Sequence, residues 1–403
     1  MDIRYGERGL DRAEAERLWQ RAERTGGPVA APGTDGPGSE AVTFLWRGDH
    51  DRVVLVGPLA DHADLRRTEL TRVSGTDLWH LTLLLPAGLR AAYAFAIDEP
   101  HDDLTGANWS ASLPRWHTDP LNRRTFRMQC DETGIDPDPH AHTLSVLELP
   151  GAGPSRWTAP NPAVPTGRVT MHWFRAADTG LDTDHRVWVY EPVGAGPYPV
   201  AVLFDGDAYV AELVPTPRIL DNLIAAGEIP PTLGVFVDSS AATRTAELRG
   251  DPKFVAFLTD QLLPWVAERW PVTTDPARTV VGGSSLGGTC ATYAALRAPE
   301  RFGLVLSQSG AFQQPDTEFP DGLPALVAET PRRPVRWYLE VGVLDTDRGT
   351  YPTDILSSNR HLRDVLTELG YPLQYTEFVG GHDYVCWRET LAYGLIDLLG
   401  AAG

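Results

Sequence analysis

The sequence predicts an α/β fold, a domain with a mostly parallel sheet preceded by an N-terminal all-β sandwich domain. Three observations lead there. The chain has 403 residues, more than one core usually holds, since domains run to about 100–200 residues. From Ala41 onward, short runs alternate apolar with polar residues, as strands with one solvated face do. From about residue 185 the strand candidates become continuously apolar and alternate with helical stretches, the pattern of a parallel sheet covered on both faces.

In chain order, residues 11–24 are rich in helix formers and residues 26–39 in Gly, Pro and Ala, which predicts a short helix and a mobile connector. The alternating runs at 42–46, 52–56, 78–83 and 92–97 predict antiparallel strands of the sandwich. Prolines recur at 136–139 and 159–165 and place a boundary near 150–165. The expected division is therefore 1–40, helix and linker; 41–160, sandwich; 161–403, α/β domain. In the last of these, strands are predicted at 186–190, 200–204, 233–237, 279–281, 304–306 and 336–341, and helices at 219–226, 253–270, 287–297 and 358–369. Pro264 predicts a kink or break in the second helix.

Composition excludes several function classes. Hydrophobic residues are 42% and charged residues 22%, which fits a globular chain rather than a disordered or fibrous one. A net charge of -19 argues against a nucleic-acid partner, whose phosphates demand clustered Lys and Arg. Cys130, Cys290 and Cys386 are odd in number and scattered, so neither a disulfide framework nor a zinc site is expected and a reducing compartment fits. The first eight residues mix acidic and basic groups, and no run of about 18 apolar residues occurs. The expectation is a cytoplasmic chain without a membrane span and with no cofactor and no metal of its own.

Gly283-Ser284-Ser285-Leu286-Gly287 matches Gly-x-Ser-x-Gly, a pattern that is weak alone. Its setting strengthens it: a strand-like run stands directly before and a helix-like run directly after, and small residues on both sides allow a serine to take a strained turn and expose its hydroxyl. This is the nucleophile turn of an α/β-hydrolase domain, with Ser285 as nucleophile. A serine needs a base. His382, in Gly380-Gly381-His382-Asp383 after the strand-like 374–378, is the expected one, whereas His172, His185 and His361 lie in strand-like or helical stretches. The fold orders its triad Ser, acid, His, so Asp345 is the expected acid, with Asp347 and Glu340 as rivals. The oxyanion donors expected are the N–H of Leu286 and, from the end of an earlier strand, that of Asp207; an ordinary Asp-Gly turn is the competing reading of the latter.

With these residues in hand, longer segments carry a resemblance. They are 42–47 (VTFLWR), 74–79 (SGTDLW), 119–122 (DPLN), 203–206 (LFDG), 244–248 (RTAEL), 299–310 (PERFGLVLSQSG) and 380–388 (GGHDYVCWR). Through them the chain resembles the enterochelin esterase family, cytoplasmic hydrolases of ferric catecholate siderophores. The resemblance implies a sandwich domain that helps enclose the substrate and an esterase domain that cleaves a trilactone of catecholoyl-serine units to free iron. Family members usually carry a glutamate where Asp345 stands, one methylene longer. Ferric tricatecholates are anionic, so Arg244 and Arg388 are the expected substrate-binding cations, each alternatively a salt-bridge partner, Arg244 with Glu247. Two other functions share these motifs: an acyltransferase or transesterase using the same triad, and an inactive ligand-binding protein.

Overall fold

Apolar strands that alternate between two covered faces build the C-terminal half. The computed structural model describes residues 4–6, 9–33, 38–128, 141–240, 242–316, 318–346 and 353–400. Eight strands of this half form one sheet: β1 (Arg168–Phe174), β2 (His185–Glu191), β3 (Val200–Phe204), β4 (Leu233–Val237), β5 (Thr279–Ser284), β6 (Leu304–Gln308), β7 (Arg336–Gly342) and β8 (Leu373–Phe378). Their spatial order is β1-β2-β4-β3-β5-β6-β7-β8. The pairs β1–β2 and β2–β4 are antiparallel, and every pair from β4–β3 to β7–β8 is parallel. Over all the described residues antiparallel pairings are the more numerous, so the parallel run is confined to these five pairs. The overall class is mixed α/β.

The period of two along each strand sorts its residues between two clusters. Val200, Val202 and Phe204 enter one cluster with residues of the helices Leu286–Arg297 and Ile355–Glu368; Ala201 and Leu203 enter the other with residues of Thr216–Ala225 and Tyr384–Leu399. Burial on both faces explains why these strands read as unbroken apolar runs. The predicted helix at 253–270 is observed as Pro252–Ala256, a π-helical stretch Phe257–Leu262 and Leu263–Arg269. Pro264 supplies no N–H to the ladder, and the widened turn ahead of it accommodates its ring.

Two five-stranded antiparallel sheets make the N-terminal half. One orders Arg4–Gly6, Leu78–Pro86, Ser39–Arg47 and Val29–Pro32, with Thr71–Arg72 beside Leu78–Pro86; the other orders Val53–Val56, Arg90–Ile97, His142–Glu148 and Thr125–Met128, with Trp116–His117 beside Arg90–Ile97. They bury a common cluster that includes Phe44, Leu83, Leu55, Tyr93 and Phe95. The expected mobile connector at 26–39 is corrected in part. Gly26 closes the helix Arg12–Thr25 at φ 78°, and Val29–Pro32 then pairs with Ser39–Arg47. Glycine serves there as a left-handed cap rather than as a flexible joint, and residues 34–37 lie outside the described ones.

The second N-terminal sheet is covered twice. Tyr93 and Phe95 face the first sheet, while Ala92, Ala94 and Ala96 belong to the cluster that holds the helix Tyr384–Leu399. Small side chains on that face let the helix and the strand approach closely. Ala94 is wholly buried, so Ala94→Leu, which overfills this contact, is expected to lower stability by ~1–3 kcal/mol. Denaturant unfolding reads the effect, and an unchanged midpoint contradicts the close approach.

Candidate active site

The strand β5 ends at Ser284, which is buried, and Ser285 then takes φ 54° and ψ -120° as the residue before the helix Leu286–Arg297. L-residues rarely adopt this backbone, at a cost of ~1–3 kcal/mol. Hydrogen bonds hold it there: the Ser285 N–H donates to the Gln308 carbonyl (3.0 Å), and the Ser285 carbonyl accepts from Ala311 N–H (3.0 Å) and Gly288 N–H (3.1 Å). A Cβ on Gly288 would stand 2.3 Å from Ser307 Oγ, and one on Gly283 would stand 3.0 Å from the Gly287 Cα, so the turn closes only around glycines. Asp205 (φ 52°) and Ser309 (φ 49°) are also at positive φ. They follow β3 and β6, the two neighbours of β5, so the strain gathers at one end of the sheet.

His382 follows β8 on the Gly380-Gly381 loop; a Cβ on Gly380 would meet Cys386 Sγ at 2.4 Å. Its Nδ1 lies 3.4 Å from Asp345 Oδ1, and the Asp345 side chain is wholly buried. Asp345 Oδ2 accepts the Gly342 N–H (3.1 Å) at the end of β7. The ring also packs edge-on against Trp387, 4.7 Å between centroids. The rival acid Glu340 is elsewhere: it accepts from Gln308 Nε2 (2.7 Å), from Tyr338 Oη (3.1 Å) and from the Thr390 hydroxyl. Asp347 lies outside the described residues.

Ser285, His382, Asp345 and Arg244 line one cleft of about 1080 Å³, whose other side comes from the N-terminal half. Arg244 pairs with Asp205 rather than with Glu247, through Nε–Oδ1 at 2.6 Å and Nη2–Oδ2 at 2.8 Å; the Asp205 charge raises its pKa. Glu247 is 3.2 Å from His185 Nε2. Arg388 is not among the cleft-lining residues. Its guanidinium lies over Phe126, with Glu389 3.8 Å from Nε, and burial lowers its pKa. The side chain of Asp207 does not line the cleft either; burial first, then the charges of Asp238 and Asp205, holds its carboxyl well above the usual range. Leu286 opens its helix, where an N–H has no intrahelical acceptor.

Asp383, next to the histidine, ties the two halves together. Its Oδ2 accepts the Ala92 N–H (2.6 Å) from the N-terminal sheet and its Oδ1 the Val385 N–H (3.0 Å) of the following helix. Burial pushes its pKa up to about 6 even so. The sequence carried no signal for this contact, nor for Arg67, Trp109 and Trp116 in the cleft wall, because each depends on how the halves dock.

Known proteins match both halves. The Esterase family model matches residues 179–398, and the model described as enterochelin esterase, N-terminal, matches residues 41–158. The iron(III) enterobactin esterase of Dickeya dadantii (strain 3937) is 31% identical, over 96% of this chain and 92% of its own length. The chain belongs to the enterochelin esterase family. It is an ester hydrolase. Among solved members, the ferric enterobactin esterase of Salmonella typhimurium has a TM-score of 0.76 at 29% identity, covering 95% of this chain and 98% of its own. The enterobactin esterase of Shigella flexneri, solved in the presence of enterobactin, has a TM-score of 0.73 at 29% identity, covering 95% and 97%. Among the described residues of this family member, no helix is long and apolar enough to cross a membrane.

Glu340 provides a test of the division between structural and site carboxylates. Burial pushes its pKa up to about 7, above its unfolded value, so the stabilising proton is present at low pH and lost as pH rises through about 7. Relative to Glu340→Gln, the wild type is expected to lose on the order of 3 kcal/mol between pH about 4.5 and 8. Parallel pH profiles of thermal stability for the two proteins contradict this placement.

Proposed function

We propose that the chain is a serine esterase that hydrolyses the ester bonds of an enterobactin-like catecholate siderophore trilactone in the cytoplasm and so releases its iron. The architecture we assign is an α/β-hydrolase domain over 161–403, preceded by a helix and linker over 1–40 and a β-sandwich over 41–160 that helps enclose the substrate. The observation that carries the reading is the gathering of Ser285, His382 and Asp345 in one cleft between the halves. Its substrate class is supported by the names of the relatives and by a similar structure solved in the presence of enterobactin.

In this mechanism the Ser285 hydroxyl attacks an ester carbonyl carbon while His382, through Nε2, takes the hydroxyl proton. Asp345 holds Nδ1–H and stabilises the imidazolium. The oxygen of the tetrahedral intermediate is held by the Leu286 N–H, with the Asp207 N–H, in the short helix Gly206–Val210 after β3, as second donor. Collapse of the intermediate breaks the bond to the neighbouring serine oxygen, which leaves as an alcohol with the proton from His382. Water, deprotonated by the same histidine, then attacks the acyl-enzyme, releases the acid and restores Ser285. Arg244, fixed by Asp205, supplies positive charge toward the anionic ligand.

Ser285→Ala and His382→Ala are each expected to reduce turnover of the ferric trilactone more than about 1000-fold with folding retained. Asp345→Asn is expected to lower it by roughly 10²–10⁴-fold and Glu340→Gln by less than about threefold. Product masses of opened trilactone over time make the measurement. Turnover of Ser285→Ala within a few-fold of wild type overturns the reading, and a larger loss from Glu340→Gln than from Asp345→Asn reverses the choice of acid.

A further inference from the structure

The N-terminal side of the cleft carries a run of rings that the ester chemistry does not use. His62 and Trp109 meet at 5.4 Å between centroids with 63° between planes, Trp109 and Trp116 at 5.0 Å and 73°, and Trp116 and His142 at 5.4 Å and 86°. The four come from separate pieces of chain: the loop after Val53–Val56, the helix Ala107–Ser112, the strand Trp116–His117 and the first residue of His142–Glu148. All four line the cleft that holds Ser285 and His382, and each is half-buried. The fold therefore brings them together on one wall and leaves part of each open.

The polar edges of Trp116 and His62 are held by the protein. The Trp116 Nε1–H donates to Ser112 Oγ (2.9 Å), which donates to Glu99 (2.5 Å), and His62 Nε2 lies 3.2 Å from the Gly57 carbonyl. At these two positions the wall offers the cleft ring surface. Met128 and Leu144 add apolar surface beside it. Edge-to-face packing fixes the rings relative to one another, and a rigid aromatic wall favours an aryl group over a saturated one of equal size, because its quadrupole rewards offset or edge contacts beyond the area buried.

We propose that His62, Trp109, Trp116 and His142 form an aryl subsite that receives the aromatic ring of the acyl arm while its ester lies at Ser285. The naming of that ring as a catechol rests on the esterase reading above; the preference for an aryl group does not. Trp109 stands between two other rings of the run, so its loss interrupts the wall.

The test uses the full chain with Ser285→Ala, which binds without turnover, and two ligands that differ only in the saturation of the ring, N-benzoylserine and N-cyclohexanecarbonylserine. Calorimetric titration is expected to show the aroyl ligand preferred. Trp109→Leu is expected to lower the ratio of the two affinities about tenfold, and Trp109→Phe to keep it within about threefold. A ratio that Trp109→Leu leaves unchanged, or no preference at the outset, overturns the subsite, even when both affinities fall together. Should the leucine variant not fold, the aryl protons of the ligand bound to Ser285→Ala decide instead: an upfield ring-current shift supports the wall and its absence overturns it. Turnover of the ferric trilactone by wild type is read separately. A chain that prefers the aroyl ring but leaves the trilactone intact keeps the subsite and loses the substrate, and one that cleaves it without aryl preference does the reverse.

Discussion

The backbone of Ser285 is the constraint around which the C-terminal half is arranged. A serine at φ 54° and ψ -120° persists only where its surroundings over-determine it. Here β6 supplies the acceptor for its N–H, and the chain just beyond β6 supplies a donor to its carbonyl. The five parallel pairings from β4 to β8 fix β5 and β6 side by side, and clusters on both faces bury them. The result is a hydroxyl presented at the end of the sheet where two further strained residues, Asp205 and Ser309, also stand. Gly283 and Gly288 follow from the same geometry, since side chains there would collide with the turn itself or with its neighbour β6.

The histidine reaches the cleft by a different route, through docking of the two halves. Asp383 accepts one N–H from the N-terminal strand Arg90–Ile97 and another from its own helix, so the loop that carries His382 is anchored to both. The alanines of that strand permit the approach, and the larger Tyr93 and Phe95 fill the opposite face. Burying a carboxylate for this purpose raises its pKa, and the two backbone hydrogen bonds offset part of the cost of its charge. The N-terminal half is therefore part of the site in two senses: it holds the histidine loop and it forms the facing wall.

Much of this was legible where the signal is local. The strand, glycine turn and helix around Ser285 are contiguous in sequence, and so is the Gly-Gly-His run after β8. The six predicted strands of the C-terminal half each fall within observed ones, because burial on both faces leaves continuous apolar runs. Signals failed where partners are distant or faces are ambiguous. Arg244 has a carboxylate three residues on, yet it pairs with Asp205, which the sheet brings to it across 39 residues. The helix Tyr384–Leu399 has buried residues round much of its circumference, so little amphipathic period marks it. Val29–Pro32 hides in a Gly- and Pro-rich stretch, since its pairing with Ser39–Arg47 is not encoded in its own composition. Trp109 and Trp116 sit in a stretch without periodicity, and only the closed cleft relates them.

Covalent labelling tests the central claim most directly, that the strained turn presents Ser285 as an activated nucleophile beside His382. After treatment of the wild-type chain with a fluorophosphonate, peptide mass mapping is predicted to find one stoichiometric adduct, on Ser285, formed much more slowly in His382→Ala. An adduct on Ser284 or another serine, or none at all, contradicts the account.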